Sequence, residues 1–302
     1  MEAHKTAGRL GPLRIGGMAT VSEMKLRRTI GTALTYLGML VVVVLFLLPL
    51  YVMVTTAVMP ESQIFAGGFQ LIPHPVLWGN FAKALTTGSL PFLTYLKNSL
   101  LYAVLSTAGA VISSAIVAYG FSRISWPGRD VLFFVVLMTM MLPFAVIMIP
   151  LYVLFAQIHW INTLLPLIVP NCLGVPFYIF LIRQFMMTIP HELSEAALID
   201  GASEWQTFVR IIAPISRPAL TVCAVFQLIA SWNDFFGPLI YTNDQSVFTL
   251  TLGLQNFETA HGSEWSLLLA ASTLFTLPMV VLFLLTQRIL LQGLTLTGSI
   301  KG

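Results

Sequence analysis

Charge is what this sequence has least of. Only 9% of its 302 residues are Asp, Glu, Lys or Arg, against roughly a quarter in a soluble domain, so the chain lacks the ionic surface that water contact demands. Cysteine is nearly absent: Cys172 and Cys223 both fall inside apolar runs, which argues against a disulfide framework and reads as two small buried side chains. The five histidines, His4, His74, His159, His191 and His261, never pair at metal-ligand spacing and read as solvated loop residues, so no metal site is expected. Neither H-E-x-x-H nor G-x-S-x-G occurs, which leaves a membrane-embedded protease without its machinery. The dipeptide Gly-Lys does not occur at all, so there is no phosphate-binding P-loop.

What is present is apolar. The chain is 57% hydrophobic with a mean hydropathy of +0.87, and its apolar residues come in continuous runs. A helix needs about 20 such residues to cross roughly 30 Å of hydrocarbon, whereas a barrel strand alternates over about ten. The runs predict an all-α integral membrane protein with six transmembrane helices, near Ile30–Val54, Asn98–Ser122, Val131–Phe155, Thr163–Met187, Pro218–Tyr241 and Leu267–Leu291. Pro166, Pro170 and Pro176 predict kinks in the fourth. Residues 1–29 form a basic segment with no apolar h-region, so the first run reads as an uncleaved span at the head of a six-helix domain, 30–302.

Lys and Arg distribution orients the chain. Lys5, Arg9, Arg14, Lys25, Arg27, Arg28, Arg123, Arg129, Arg183, Arg210, Arg217, Arg288 and Lys301 fall on one side, against Lys83 and Lys97 on the other. Both termini are therefore expected in the cytoplasm. Arg183 and Arg288, near span ends, read as snorkelling side chains. The net charge of +3 makes no basic patch interleaved with aromatics, so nucleic acid is not an expected partner. No internal repeat is visible, which counts against an ion-coupled secondary transporter.

The loop 188–218 is the most informative stretch. Pro190 suits a first helical turn, Leu193, Ala196 and Ala197 fall at helical spacing, and Asp200-Gly201 is a turn signal. Ser203 and Gln206 fit a capping box for a second helix, in which Trp205, Phe208, Val209 and Ile212 share an apolar face and which Pro214 should end. That face must lie on the membrane, pack beneath its own bundle, or dock on a partner. Glu192, Glu195, Asp200 and Glu204 make the pair acidic and exclude phosphate backbones.

Within the bilayer Asp234 is the carboxylate set deepest in a span, and Gln227, Ser231 and Asp234 share one face of the fifth helix. Such a stripe lines a path for hydroxyl-rich solutes or glues helices together. Asn233 points away from it, and Asn171 in the fourth span is a similar candidate. Met138, Met140 and Met141 read as core filling.

The run Glu195-Ala196-Ala197, Asp200-Gly201-Ala202, Phe208, Ile211 and Pro214 resembles the EAA loop of permease subunits in bacterial ATP-binding-cassette importers. Asp200 before Gly201, with Phe208 and Pro218, is similar to the MalG-like sugar branch, although Ala213 stands where that family has Leu. Ala118 to Arg123, Pro127-Gly128-Arg129, Trp232-Asn233-Asp234 and the tail from Gly293-Leu294-Thr295 to Lys301-Gly302 add to the likeness, which covers roughly 30–302. The resemblance implies the type I ABC importer permease fold in a bacterial inner membrane, half of a translocation pathway, and no catalysis or cofactor on this chain. It implies as partners a second permease subunit, an ATPase dimer that binds ATP and Mg, an extracytoplasmic solute-binding protein touching loops 55–97 and 242–266, and a sugar. It assigns Glu195, Ala196, Ala197, Asp200 and Gly201 to the ATPase interface, with Trp205 and Phe208 anchoring the second helix.

Overall fold

In hydrocarbon every backbone N–H and C=O must be satisfied within the protein, which restricts a spanning segment to helix or closed barrel. The computed structural model describes residues 21–66, 72–86, 92–261 and 264–296, without the side chains of 21–28, 256–261, 285 and 288–296, and no strand occurs among those residues. Residues 1–20 of the basic segment, the tail 297–302, and the side chains of His261 and Arg288 lie outside this description.

The chain forms two compact units, residues 1–52 and 53–302. The first holds most of α1 (Val21–Ala57), whose Thr29–Ala57 stretch is long and apolar enough to cross a bilayer. In the second unit α2 (Glu61–Ile64) and α3 (Gly79–Thr86) precede the long α4 (Phe92–Ser122). Then follow α5 (Arg129–Thr139), α6 (Phe144–Gln157), α7 (Leu165–Ile168), a 3-10 turn Val169–Leu173 and α8 (Pro176–Met187). The loop region contributes α9 (Glu192–Ile199), α10 (Glu204–Thr207), a π turn Phe208–Ile212 and α11 (Ala213–Ile215). The chain continues as α12 (Arg217–Asn233), α13 (Phe236–Tyr241), α14 (Leu250–His261) and α15 (Trp265–Leu296).

Among the described residues four helices are long and apolar enough to span, and six crossings result only if each of two bent pairs counts as one. Two expected spans are broken. The run Val131–Phe155 turns through 95° between α5 and α6. Pro143 has no N–H to continue the ladder and disfavours helix at the residue before it, so the chain closes in tight turns from Met140 to Leu142 and restarts at Phe144. Met138, Met140 and Met141 lie at this break and are 44%, 47% and 81% exposed, not core filling. The run Pro218–Tyr241 stops at Asn233, because Pro238 would leave the Asp234 carbonyl without a donor; Asp234 is extended and α13 begins two residues later. The fourth span kinks as its prolines require, with Gly174 at φ 97° separating the 3-10 turn from Pro176 at the head of α8.

α4 is the central helix of this unit and packs on α8 and α12. Its buried Ala103, Ser106, Ala110, Ser114 and Ala118 recur at three- and four-residue intervals, a face of small side chains that admits close backbone approach. Ser114 Oγ accepts from Val175 N at 3.0 Å, satisfying a donor freed by the break at Gly174. Gly109 is needed for space: a Cβ there would stand 2.2 Å from Cys172 Sγ. Cys223 is fully buried, whereas Cys172 is exposed.

Arg183 does not snorkel. It is 9% exposed, donates from Nε to Phe121 O at 3.1 Å, sits 4.1 Å over the Phe133 ring and lies 3.6 Å from Asp130. α4 and α5 bring a carbonyl, a ring and a carboxylate within reach, and this set replaces water for the charge.

Candidate functional site

The loop 188–218 is built by local chemistry. α9 starts at Glu192, so Pro190 precedes it rather than entering its first turn. Gly201, at φ 82°, closes α9: its N–H donates to Leu198 O at 3.0 Å and Ala202 N to Ala197 O at 2.9 Å, the paired bonds of a Schellman ending. Ser203 then starts α10 with a full capping box, its Oγ accepting from Gln206 N at 3.3 Å while Gln206 Oε1 accepts from Ser203 N at 2.9 Å. Pro214 does not end the helix; the π turn Phe208–Ile212 widens the preceding backbone, and helical conformation runs on to Ile215. A bend of 76° then leads into α12.

The two helices expose one set of side chains and bury another. Glu195, Ala196, Asp200, Gly201 and Trp205 are exposed, whereas Ala197 and Phe208 turn inward. Leu198 and Ile199, 49% and 86% exposed, extend the outward surface, which sequence reasoning missed although they adjoin the Asp200-Gly201 turn. The expected apolar face of the second helix divides: Phe208 and Ile212 are buried, Trp205 and Val209 are not. Trp205 packs on Phe208 with ring centres 5.4 Å apart, and Phe208 on Tyr119 at 5.1 Å, both pairs tilted.

The module is held from behind by α4. Tyr119 Oη donates to Glu204 Oε2 at 2.6 Å. Arg123 donates from Nη2 to Met186 O and Ile189 O at 2.6 Å each, and from Nη1 to Pro190 O at 3.4 Å, a cation on carbonyls at the end of α8 and in the link to α9. Burial lowers the Arg123 pKa, yet a guanidinium stays charged at any working pH.

The second site lies at the break after α12. Asp234 Oδ1 accepts from Gly237 N at 3.1 Å and so satisfies a free donor in the first turn of α13; Oδ2 accepts from Tyr102 Oη at 2.8 Å. The carboxylate, Tyr102, Tyr241 and Asn171 face a cavity of about 280 Å³ whose walls include Phe144, Phe155 and Phe236. Asn171 is half-buried and donates to Leu167 O at 2.8 Å. Gln227 and Ser231 do not reach this cavity. Both are buried against α4, where Gln227 Nε2 donates to Ser231 Oγ at 3.0 Å and Ser231 shares a 2.8 Å hydrogen bond with Ser106. Asn233 is exposed and donates back to Ile229 O at 2.8 Å. Among the described residues no group of three or more His, Cys, Asp or Glu could hold a metal ion.

The connections after α1 and after α13 are fastened down. Glu61 accepts from the N–H groups of Trp265 and Ser266, capping α15. Asn98 donates to Ser246 O and Phe248 O at 2.9 and 3.0 Å, and Asn162 Oδ1 accepts from Asn243 N and Asp244 N at 3.0 and 2.8 Å.

Comparison with known proteins adds a family. Residues 109–295 match the profile of the family described as "binding-protein-dependent transport system inner membrane component". The chain is 32% identical to the arabinooligosaccharides transport system permease protein of Halalkalibacterium halodurans, over 84% of this chain and 91% of that one. It is 34% identical to the sn-glycerol-3-phosphate transport system permease protein of Yersinia pestis, covering 86% and 94%. To the trehalose/maltose transport system permease protein of Thermococcus litoralis it is 32% identical, covering 89% and 96%. Its fold is like that of a chain in a bacterial ABC transporter involved in import of the acidic polysaccharide alginate, with a TM-score of 0.73 at 18% identity, over 90% of this chain and 99% of that one.

Proposed function

Since the chain belongs to the family of binding-protein-dependent transport system inner membrane components, we propose that it forms half of the translocation pathway of an ATP-driven carbohydrate importer and is driven through the loop 188–218. The chain is a permease subunit, non-catalytic in itself, in a bacterial inner membrane. It works with a second permease subunit, an ATP-binding-cassette ATPase dimer and an extracytoplasmic solute-binding protein. ATP and Mg belong to the ATPase. Both termini lie in the cytoplasm, and the domain begins near residue 30 after a basic segment, 1–29.

One observation carries the reading: the Schellman-closed α9 and box-capped α10 present acidic and apolar side chains together. Glu195, Ala196, Asp200, Gly201 and Trp205, joined by Leu198 and Ile199, form the face that seats on the ATPase; Ala197 and Phe208 hold that face against the bundle. An apolar patch rimmed by charge is what a protein partner covers.

For the substrate, the arabinooligosaccharide and trehalose/maltose names of the relatives agree with the chemistry of the cavity. Tyr102, Tyr241, Asn171 and Asp234 supply hydroxyl, amide and carboxylate to aromatic walls, a lining suited to a polyhydroxylated ring. Asp234 is the charged residue of that lining, so a neutral sugar is favoured over the phosphate ester named for the Yersinia relative. Gln227, Ser231 and Asn233 support the path from outside the cavity. An ion-coupled carrier finds no support, as the family and the relatives are those of binding-protein-dependent transport systems.

Affinity purification in mild detergent followed by reconstitution tests this. An ATPase and a second permease should accompany the protein, and Glu195→Trp should release the ATPase. A chain that purifies alone and moves solute into liposomes without ATP would overturn it. Uptake of maltodextrin, competed by neutral sugars and not by sn-glycerol 3-phosphate, is the expected selectivity.

A further inference from the structure

α4 reaches both sites. Near its middle, Tyr102 and Ser106 bond Asp234 and Ser231 at 2.8 Å each. At its Ser122 end, Tyr119 holds Glu204 at 2.6 Å and packs tilted on Phe208, while Arg123, the residue after α4, grips three carbonyls on the way to α9. About 26 Å of helix, at 1.5 Å per residue, lies between Tyr102 and Tyr119.

The covalent route from the loop to Asp234 runs through α12, but that route is interrupted. The π turn Phe208–Ile212 and the 76° bend before Arg217 stand between α10 and α12, so no continuous helix joins the loop to Asp234 along the chain. α4 has no such interruption between Phe92 and Ser122. Its attachment to the loop joins a buried residue, Tyr119, to an exposed one, Glu204, on the first turn of α10. Moving α10 relative to α4 breaks that bond, whereas moving the two together keeps it.

We infer that Tyr119, with Arg123, is a positioning clamp that makes α4 the element carrying coupling-loop displacement to Asp234. This rests on the importer reading above. Tyr119 acts on nothing that is transported; it decides whether movement of α10 arrives at the Tyr102–Asp234 contact.

Hydrogen exchange on the assembled complex, nucleotide-free and trapped with ATP and vanadate, tests the clamp without needing the substrate. In the wild-type complex, trapping should change exchange both in 192–207 and in the peptides covering 98–106 and 231–237. Tyr119→Phe removes the hydroxyl and keeps the ring on Phe208. It should leave the response of 192–207 intact and shrink that of 98–106 and 231–237 roughly fivefold, as loss of one charge-assisted bond at a partly exposed site allows. Glu204→Ala, a change on an exposed side chain that removes the acceptor altogether, should do the same, and the double variant should be no worse than either single one. A merely structural role would alter assembly or the local response of 192–207 instead. Full remote responses in both single variants, or multiplying effects in the double, would overturn the clamp. A wild-type complex lacking an ATPase, or unresponsive to trapping in 192–207, would overturn the importer reading instead.

Discussion

Replacing Gly201 separates backbone strain from side-chain bulk at the loop. The residue sits at φ 82°, and a Cβ built there meets nothing within 4 Å. Within this chain, then, an alanine costs strain alone. An L-residue in the left-handed region loses about 1–2 kcal/mol, and a β-branched one more. The strain acts on the two bonds that end α9, Gly201 N to Leu198 O and Ala202 N to Ala197 O, so the turn opens to relieve it and the exposed face loses its shape. If the ATPase binds only the closed turn, about 1.4 kcal/mol of strain weakens assembly by about tenfold. Gly201→Ala should therefore weaken ATPase binding by roughly five- to thirtyfold, and Gly201→Val more. Gly201→Asn, which tolerates this conformation, should stay near wild type. Titration of purified ATPase against the permease pair in nanodiscs measures all three. Equal failure of Asn and Val would refute the strain argument and show that the partner's surface leaves no room at this position. A wild-type affinity for Val would refute the importance of the turn altogether.

Three further substitutions test the packing. Gly109→Ala should lower the melting temperature in detergent by several degrees, because its Cβ would fall 2.2 Å from Cys172 Sγ; adding Cys172→Ala should recover only part of the loss, since the Cβ and Cα of residue 172 stay 3.1 and 3.2 Å away. Glu61→Ala removes the acceptor for Trp265 and Ser266 N–H at the head of α15 and should cost about 1 kcal/mol, read as increased hydrogen exchange at 264–268 with little change elsewhere. Arg183→Lys keeps a charge but loses the planar group that lies over Phe133 while bonding Phe121 O; thermal denaturation should show a loss of about 1–3 kcal/mol, and stability equal to wild type would refute the fixed geometry.

Features settled by neighbours in sequence were legible, and features settled by neighbours in space were not. Hydropathy reveals the helical membrane class because the bilayer leaves so few backbone solutions. The capping box at Ser203 and the turn at Gly201 follow from residues within four positions of one another. The breaks at Pro143 and Asp234 were also written locally, in prolines that the apolar runs around them outweighed. By contrast, the stripe Gln227, Ser231 and Asp234 does lie on one helix face, but nothing in the stripe says that Ser106 waits opposite its middle while a cavity opens at its end. Arg183 looked like a snorkelling cation because Phe121, Asp130 and Phe133 lie on other helices. The Tyr119–Glu204 bond links residues far apart in the chain, and its only local trace is the run Ala118 to Arg123 already singled out for family likeness.

The π turn between Phe208 and Ile212 makes chain length itself a structural variable. Such a turn holds one residue more than the α-helical turn it replaces, so the extra residue is absorbed within one turn and the helix on either side keeps its facing. Deleting a single residue there would restore regular winding with little change in where Trp205 and Glu204 aim. Deleting one in the α-helical winding beside it would instead swing everything upstream by about 100° and take Glu204 away from Tyr119. Phe208–Ile212 should therefore tolerate a one-residue deletion better than its flanks, and homologues that lack the extra residue can present the loop in the same orientation.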